Sequence, residues 1–172
     1  MTLKPLSGAG WLKDIQDNFD SIDPLLSKTA GLGVLRVARF TFDVEEEDTA
    51  GELNSTIAAH GVGVTVPAYA IVVGGFYDVN APFTSDSTNA GTLAISVEGA
   101  NDILSAVAID SNDPATIGRK AIIPKANTPE STSVKASEAQ EITVTVAVEV
   151  LLTGKLTGYL YYIDGILSAN PA

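Results

Sequence analysis

Strict alternation of apolar and polar residues in the stretch EITVTVAVEV (residues 141–150) constrains the fold of this chain more than any other feature. A period of two places successive side chains on opposite faces of a β-strand. The pattern therefore predicts a strand with one face turned into the core. That face carries Ile142, Val144, Val146, Val148 and Val150.

A second strand-like run, LTGYLYYI (156–163), follows, and Thr-Gly-Lys at 153–155 predicts the turn of a hairpin between the two runs. The other face of the first run is small and neutral up to Glu149, so the backbone of another chain can approach it closely. We expect this hairpin to lie in or beside a contact between subunits. The candidate contact residues are Thr143, Thr145, Tyr159 and Tyr161.

From residue 34 onward, the sequence predicts strands separated by turn clusters. They span residues 34–44, 60–80, 91–99 and 119–124, with Pro67 dividing the second run into two strands. Residues 101–109 predict a short helix that leads into extended chain. Polar loops are expected at residues 45–55, 81–90, 110–118 and 125–138. About eight short strands without a β-α-β rhythm predict a mostly β protein, an antiparallel β-sandwich or barrel.

One amphipathic helix is predicted over residues 10–28, where four large apolar side chains recur at helical spacing. These are Trp11, Ile15, Phe19 and Ile22. The helix either packs on its own domain or forms an arm that docks on a partner, and the glycines on both sides of it indicate flexible joints. We therefore divide the chain into an N-terminal helix or arm at 1–30 and a β-sandwich domain at 31–172.

The charge balance argues against two classes of partner. The formal net charge is −11 and only ten residues are Lys or Arg, whereas nucleic acids and anionic membrane surfaces attract clustered cations. There is no cysteine, which excludes thiolate metal sites and cysteine nucleophiles. The N-terminal residues lack an apolar secretory segment, and no run approaches the ~20 apolar residues of a spanning helix. We expect a protein that is made in a cytoplasm and stays soluble there.

No grouping of residues predicts catalysis, a cofactor or a metal site. The single histidine, His60, is expected to be a hydrogen-bonded residue at a strand start, since no serine stands in a Gly-x-Ser-x-Gly turn. The acidic segment DVEEEDTAGEL (43–53) offers oxygen ligands for calcium, or a carboxylate pair for glycoside hydrolysis. Its default interpretation is a solvated loop. DSNDP (110–114) similarly offers calcium ligands or an ordinary turn.

The order of short phrases between residues 56 and 163 resembles that of tailed-phage capsid decoration, cement and head-fibre proteins. Val-Thr-Val-Pro-Ala is followed by Tyr-Asp-Val, Phe-Thr-Ser, Thr-Leu-Ala-Ile and Asp-Ile-Leu-Ser-Ala-Val-Ala. Glu-Ile-Thr-Val-Thr-Val and a Gly-Lys-Leu turn complete the order. The resemblance implies a jelly-roll-like β-sandwich without enzymatic activity, and it does not reach the predicted N-terminal helix.

The resemblance also implies a viral structural protein of the virion, on the capsid exterior, commonly a homotrimer whose partner is the major capsid protein. The apolar stripe of the predicted helix is then the candidate shell anchor, because buried aromatic side chains dominate interface energetics. The alternative function is a carbohydrate- or receptor-binding fibre or tail component with a similar sandwich. For that role only Tyr69 and Phe83 are placed to stack on a sugar.

Overall fold

In the computed structural model, the regular secondary structure of the described residues consists of β-strands, and all of their pairings are antiparallel. The structure describes residues 35–86, 89–109, 115–124 and 132–164. The strands are β1 (Leu35–Asp43), β2 (Ala59–Val66), β3 (Ile71–Ser85), β4 (Thr92–Ser96), β5 (Leu104–Ala108), β6 (Gly118–Ile122), β7 (Val134–Lys135), β8 (Gln140–Ala147) and β9 (Leu151–Ile163). The predicted N-terminal helix, its apolar stripe and the segment 110–114 lie outside the described residues.

The strands pair as one long antiparallel ribbon that folds back on itself. β4 pairs with β5, β3 with β6, β2 with β8 and β1 with β9, so these four pairs are nested around the turn between β4 and β5. Two further pairings, β3 with β9 and β4 with β8, roll the ribbon into two sheets. Their orders are β1-β9-β3-β6, with the short β7 also beside β3, and β2-β8-β4-β5. This arrangement is a jelly-roll sandwich, and it confirms the predicted fold class.

The core lies between the two sheets and is built from the inward-facing residues of both. Phe40, Phe42 and Leu156 come from the five-stranded sheet, and each is at most 2 % exposed. Ile142 and Val144 come from the four-stranded sheet and are fully buried. The alternation in β8 therefore places its apolar face in the core as predicted, where each such side chain contributes about 1.5–3 kcal/mol.

The prediction of a hairpin at residues 141–163 is wrong. β8 ends at Ala147 and β9 begins at Leu151, and the two strands belong to different sheets. Because the chain crosses between the sheets here, Val148 and Val150 are exposed and do not face the core. Residues 153–155, the predicted turn, lie inside β9, where β1 and β3 pair with them. Pairing with distant strands thus replaces the local pairing that the sequence pattern indicates.

The other differences concern the ends of strands. Residues 101–103 form a tight turn and not a helix, because the buried Asp102 carboxylate accepts hydrogen bonds from three backbone N–H groups at residues 97–99. β3 continues to Ser85 through an expected loop, and β7 lies within another. The remaining strand predictions correspond to β1, β2, the first part of β3, β4 and β6, including the break at Pro67.

Gly154, in the early part of β9, is required there for two reasons. Its φ of +141° lies in a region that favours glycine. A Cβ at this position would also overlap the ring of Phe83, which is buried and stacks on Phe42 with the ring centroids 6.4 Å apart. Phe83 therefore belongs to the core and cannot serve as an exposed platform for a sugar, which corrects that part of the sequence analysis.

We predict that Gly154→Ala destabilises the fold much more than Gly118→Ala. Both glycines have positive φ, +141° and +125°, but a Cβ at Gly118 would meet no atom within 4 Å. The control substitution should cost about 1–2 kcal/mol through the backbone alone. Overlap with the core should add roughly 1–3 kcal/mol at Gly154. Urea unfolding measures both values, and equal losses would contradict the packing argument.

Candidate interaction surfaces

The outer face of the five-stranded sheet carries a cluster of aromatic and arginine side chains. Alternation turns Phe40 inward and Arg39 outward on β1, and the register places Arg39 beside Tyr159 of β9. Tyr159 in turn lies beside Phe76 of β3, and Phe76 beside Ala121 of β6. Four strands therefore bring side chains that are distant in the sequence into one row across the sheet.

Ring contacts and an ion pair hold this cluster in place. Phe76 stacks on Tyr159 with the ring centroids 4.6 Å apart and meets Tyr161 edge-on at 6.1 Å. The Arg119 guanidinium lies 4.2 Å from the centre of the Phe76 ring. It also donates two hydrogen bonds to Asp78, at 2.9 and 3.0 Å, which lower the pKa of Asp78 and raise the pKa of Arg119. Such preorganised aromatic and arginine groups are enriched in protein interfaces.

We call this surface the aromatic face. Two exposed aliphatic residues at the start of β1, Leu35 and Val37, extend it, since the register places Val37 beside Tyr161. Its members are Leu35, Val37, Arg39, Phe76, Arg119, Tyr159 and Tyr161. The structure thus brings the two predicted contact residues Tyr159 and Tyr161 together on one face, as the sequence indicates. Phe76, their common neighbour, had no signal of its own, because β3 carries apolar residues on both faces.

The described cations all lie on strands of the five-stranded sheet. They are Arg36, Arg39, Arg119, Lys120, Lys135 and Lys155. Three are held in pairs by carboxylates: Arg36 by Asp164, Arg119 by Asp78 and Lys155 by Asp43. Arg39 is exposed and forms no ion pair with any described residue. Within the described residues, the positive groups are therefore gathered on one sheet.

The outer face of the four-stranded sheet has a different character, because its residues beyond Glu141 of β8 are mostly small and neutral. Thr143 of β8 lies beside Ser96 of β4, and Thr145 lies beside Ala94. Thr143 and Thr145 thus share a face, as predicted. They lie on the opposite sheet from Tyr159 and Tyr161, so the two predicted pairs of contact residues do not form one patch. Their role in a subunit contact stays a prediction.

An exposed apolar cluster, which we call the apolar tip, lies where β8 crosses to β9. Its members are Leu53, Ile57, Val148, Val150 and Leu152, each 39–64 % exposed. Backbone hydrogen bonds tie the two segments together, from Leu151 to the Ser55 carbonyl and from Val146 to the Ala58 carbonyl, each at 2.9 Å. The sequence signal for this tip is the doublet Leu151-Leu152, which breaks the alternation where the chain changes sheets.

Val148 at the centre of the apolar tip has a strained backbone. Its φ is +72°, and the Glu149 N–H donates to the Ala147 carbonyl at 2.9 Å. Residues 147–149 therefore form a γ-turn of the rare type with a positive φ at its central residue. Such a conformation costs about 1–3 kcal/mol and persists only where the surroundings hold it. Here the Glu149 carboxylate accepts hydrogen bonds from Ser85 Oγ at 2.7 Å and from the Ala90 N–H at 3.0 Å. An exposed valine is therefore held rigidly at the tip.

His60 has a structural role in the loop between β1 and β2. Its fully buried ring lies with Nδ1 3.1 Å from Asp48 Oδ2, and its Nε2–H donates to the Thr56 carbonyl at 2.9 Å. The other Asp48 oxygen accepts the N–H groups of Ala50 and Glu52. These bonds, first that from Glu52, lower the pKa of Asp48 although its burial opposes the shift. The expectation of a hydrogen-bonded histidine at a strand start is confirmed.

The calcium hypothesis for residues 43–53 finds its least exposed carboxylates already engaged. Lys155 donates to Asp43 at 2.7 Å, and Asp48 is saturated by the bonds described above. Glu46 and Glu47 line an open cleft of about 190 Å³ with exposed side chains. Among the described residues, no three His, Cys, Asp or Glu side chains come together as metal ligands.

The described residues contain no helix that is long and apolar enough to cross a membrane.

Comparison of the fold with solved structures identifies two phage capsids with a similar chain. One is the acid-stable capsid of Helicobacter pylori bacteriophage KHP30, with a TM-score of 0.51 and 14 % identity over 77 % of this chain and 89 % of that chain. The other is the capsid asymmetric unit of cyanophage Pam1, with a TM-score of 0.53 and 16 % identity over 76 % of this chain and 85 % of that chain. No family model and no curated protein sequence matches the chain. At these identities the similarity shows a shared fold.

We predict that acid destabilises the protein through its paired carboxyl groups. The pKa values of Asp43, Asp48 and Asp78 lie below their ordinary value of 3.8 in the folded chain. The folded state therefore binds fewer protons than the unfolded state, so this stabilisation is complete above about pH 4–5 and is lost as the pH falls through the folded pKa values. The melting temperature should stay level from pH 7 to pH 5 and fall below pH 4.

The variant Asp48→Asn provides the check on that mechanism. It should melt at a lower temperature than the parent at pH 7 but lose less between pH 6 and pH 3, because one of the contributing carboxyls is gone. Glu45→Gln is the matched control, since the Glu45 side chain is exposed and accepts no hydrogen bond from the described residues. An Asp48→Asn variant with the full acid response would exclude Asp48 as a contributor.

Proposed function

We propose that this protein is a non-enzymatic structural component of a tailed-phage virion, a decoration or cement protein that binds the capsid exterior as a homotrimer. The observation that carries the proposal is the fold of this jelly-roll chain, which is similar to that of chains in two phage capsid structures. The resemblance of the sequence to decoration, cement and head-fibre proteins supports it independently. The partner in this role is the major capsid protein.

The surface chemistry of the described residues supports a binding role. The aromatic face and the apolar tip expose large apolar side chains, whose contact with water is unfavourable. Exposed apolar patches of this kind mark interaction sites. Three copies of one weak shell contact, joined in a trimer, would bind together with an affinity far above that of one copy. The single histidine is buried between Asp48 and a backbone carbonyl, so it is not placed to act on a substrate.

The alternative role, a carbohydrate- or receptor-binding fibre component, has less support. Of its two proposed stacking residues, Phe83 is buried in the core and only Tyr69 is exposed. Tyr69 lies in the turn between β2 and β3, with the Lys135 ammonium 5.8 Å from its ring centre. One aromatic platform is a small site for a glycan, so we favour the decoration role. Glycan-array binding that Tyr69→Ala abolishes would reverse that preference.

We predict that the purified protein binds capsids that lack it and raises their resistance to heat. Particles assembled without the protein, incubated with it and sedimented, should retain it at a fixed ratio to the major capsid protein. The temperature at which the particles release DNA should rise on binding. If the protein stays in the supernatant and is also missing from virions by mass spectrometry, the proposed function is wrong.

We predict that replacing Trp11 and Phe19 together by alanine weakens attachment to the capsid and leaves the oligomer intact. The stripe of Trp11, Ile15, Phe19 and Ile22 is the candidate shell anchor, and loss of two buried aromatic groups typically weakens an interface by a factor of ten or more. Lys13→Ala, on the polar side of the predicted helix, is the control. Co-sedimentation measures attachment and native mass spectrometry the oligomer. Unchanged attachment would assign the anchor to another segment.

A further inference from the structure

The apolar tip is unsuited to pack against a second apolar tip. Acidic residues surround it, because Glu52 precedes Leu53 in the chain, the Asn54 N–H bonds the Glu46 carbonyl, and the Asp86 N–H bonds the Val150 carbonyl at 3.1 Å. Lys155 is the described cation nearest in sequence to the tip, and Asp43 holds it. Contact between two such tips would bring their carboxylates together and remove water from them, and both effects are unfavourable. The chemistry of the tip therefore calls for an apolar surface with a basic border.

The aromatic face of the same chain has that chemistry. Val37, Phe76 and Tyr161 provide its apolar area, and Arg39 stands beside them as the basic group. Arg119 also lies over Phe76, but Asp78 holds it in an ion pair. Arg39 is exposed, so a carboxylate of another copy can reach its guanidinium. Because every described cation lies on strands of this sheet, no other part of the described chain offers a basic border to an acidic tip.

We propose that the apolar tip of one copy docks on the aromatic face of a second copy, which makes the oligomer a head-to-tail assembly. The tip lies at the end of the sandwich where β8 crosses to β9, and the aromatic face lies on the side of the five-stranded sheet, so one copy can use both surfaces at once. A contact between two different surfaces is heterologous, and three copies related by a three-fold axis close it into the ring that the proposed homotrimer requires. This inference rests on the self-association contained in the proposed function.

The rigid γ-turn at Val148 fits this role. A glycine would adopt a φ of +72° without strain and would expose no apolar group, so an exposed valine is disfavoured in the isolated copy on both counts. In the assembly its side chain is covered, and the fixed turn means that little order is lost on docking. Val148→Gly should therefore raise the melting temperature of the dissociated copy and weaken the assembly about tenfold or more.

The decisive experiment mixes two full-length variants, each with one damaged surface. Val148→Asp with Leu152→Asp disables the tip, and Arg39→Glu with Val37→Asp disables the aromatic face. All four residues are exposed, and circular dichroism checks that each variant is folded. Each variant alone should be monomeric in native mass spectrometry. An equimolar mixture should form a heterodimer, because one intact tip meets one intact face and the chain of contacts then stops.

The control and the contrary outcomes separate this inference from the proposed function. Thr145→Asp, on the outer face of the other sheet, sets the two contact predictions against each other. The head-to-tail contact leaves the oligomer of this variant intact, whereas a subunit contact at Thr145, as predicted from the sequence, would be lost. The inference is overturned if either damaged variant still assembles, if the mixture stays monomeric, or if Thr145→Asp alone disperses the oligomer. Capsid co-sedimentation is scored separately. An oligomer that assembles as described but does not bind capsids would refute the decoration role only. A monomer that binds capsids would refute the head-to-tail contact and the homotrimer, but not the attachment to capsids.

Discussion

Pairing of β9 with β1 on one side and β3 on the other is the constraint on which both the core and the candidate surfaces depend. The same strand sends Leu156 and Leu160 into the core and Tyr159 and Tyr161 to the outside. A slip of one residue in either ladder would exchange these two sets. The register is held because burial of the inner set is worth several kcal/mol. The aromatic face is therefore a consequence of the same pairing that closes the core.

Positive and negative groups of the described residues are distributed unevenly over the fold. A chain with a net charge of −11 has few cations to place, and those of the described residues lie on one sheet, several of them engaged by carboxylates. The acidic loop between β1 and β2 and the apolar tip lie together at one end of the sandwich. The outer face of the other sheet carries mostly small neutral residues, such as Thr143 and Thr145 of β8. A molecule built in this way has two unlike surfaces suited to a partner, which agrees with the proposed structural role.

Much of the local structure follows from the sequence, and its failures have a common cause. Periods of two identified most of the strands, and Pro67 marked a real break, because alternation and the lack of a proline N–H are local properties. The pattern predicted the inward face of β8 up to Val146 and then failed at Val148 and Val150. The direction of the chain after residue 147 is decided by its pairing with β1 and β3, which are distant in the sequence. The paired residues Asp43 and Lys155 are 112 residues apart, and Ser85 and Leu151 are 66 residues apart. A turn motif such as Thr-Gly-Lys carries no information about those partners.

The sequence by itself determined that this chain forms short antiparallel strands with a valine-rich inner face, a hydrogen-bonded histidine at a strand start and no clustered cations for nucleic acid. These properties depend on residue type and on neighbours along the chain. Only the tertiary structure decided that β8 and β9 lie in different sheets, that Phe76 joins Tyr159 and Tyr161, and that Val148 stands exposed on a strained turn. These depend on which distant strands pair, and that choice is made by the burial of the whole core at once, since no single segment buries enough apolar surface to select its own partner.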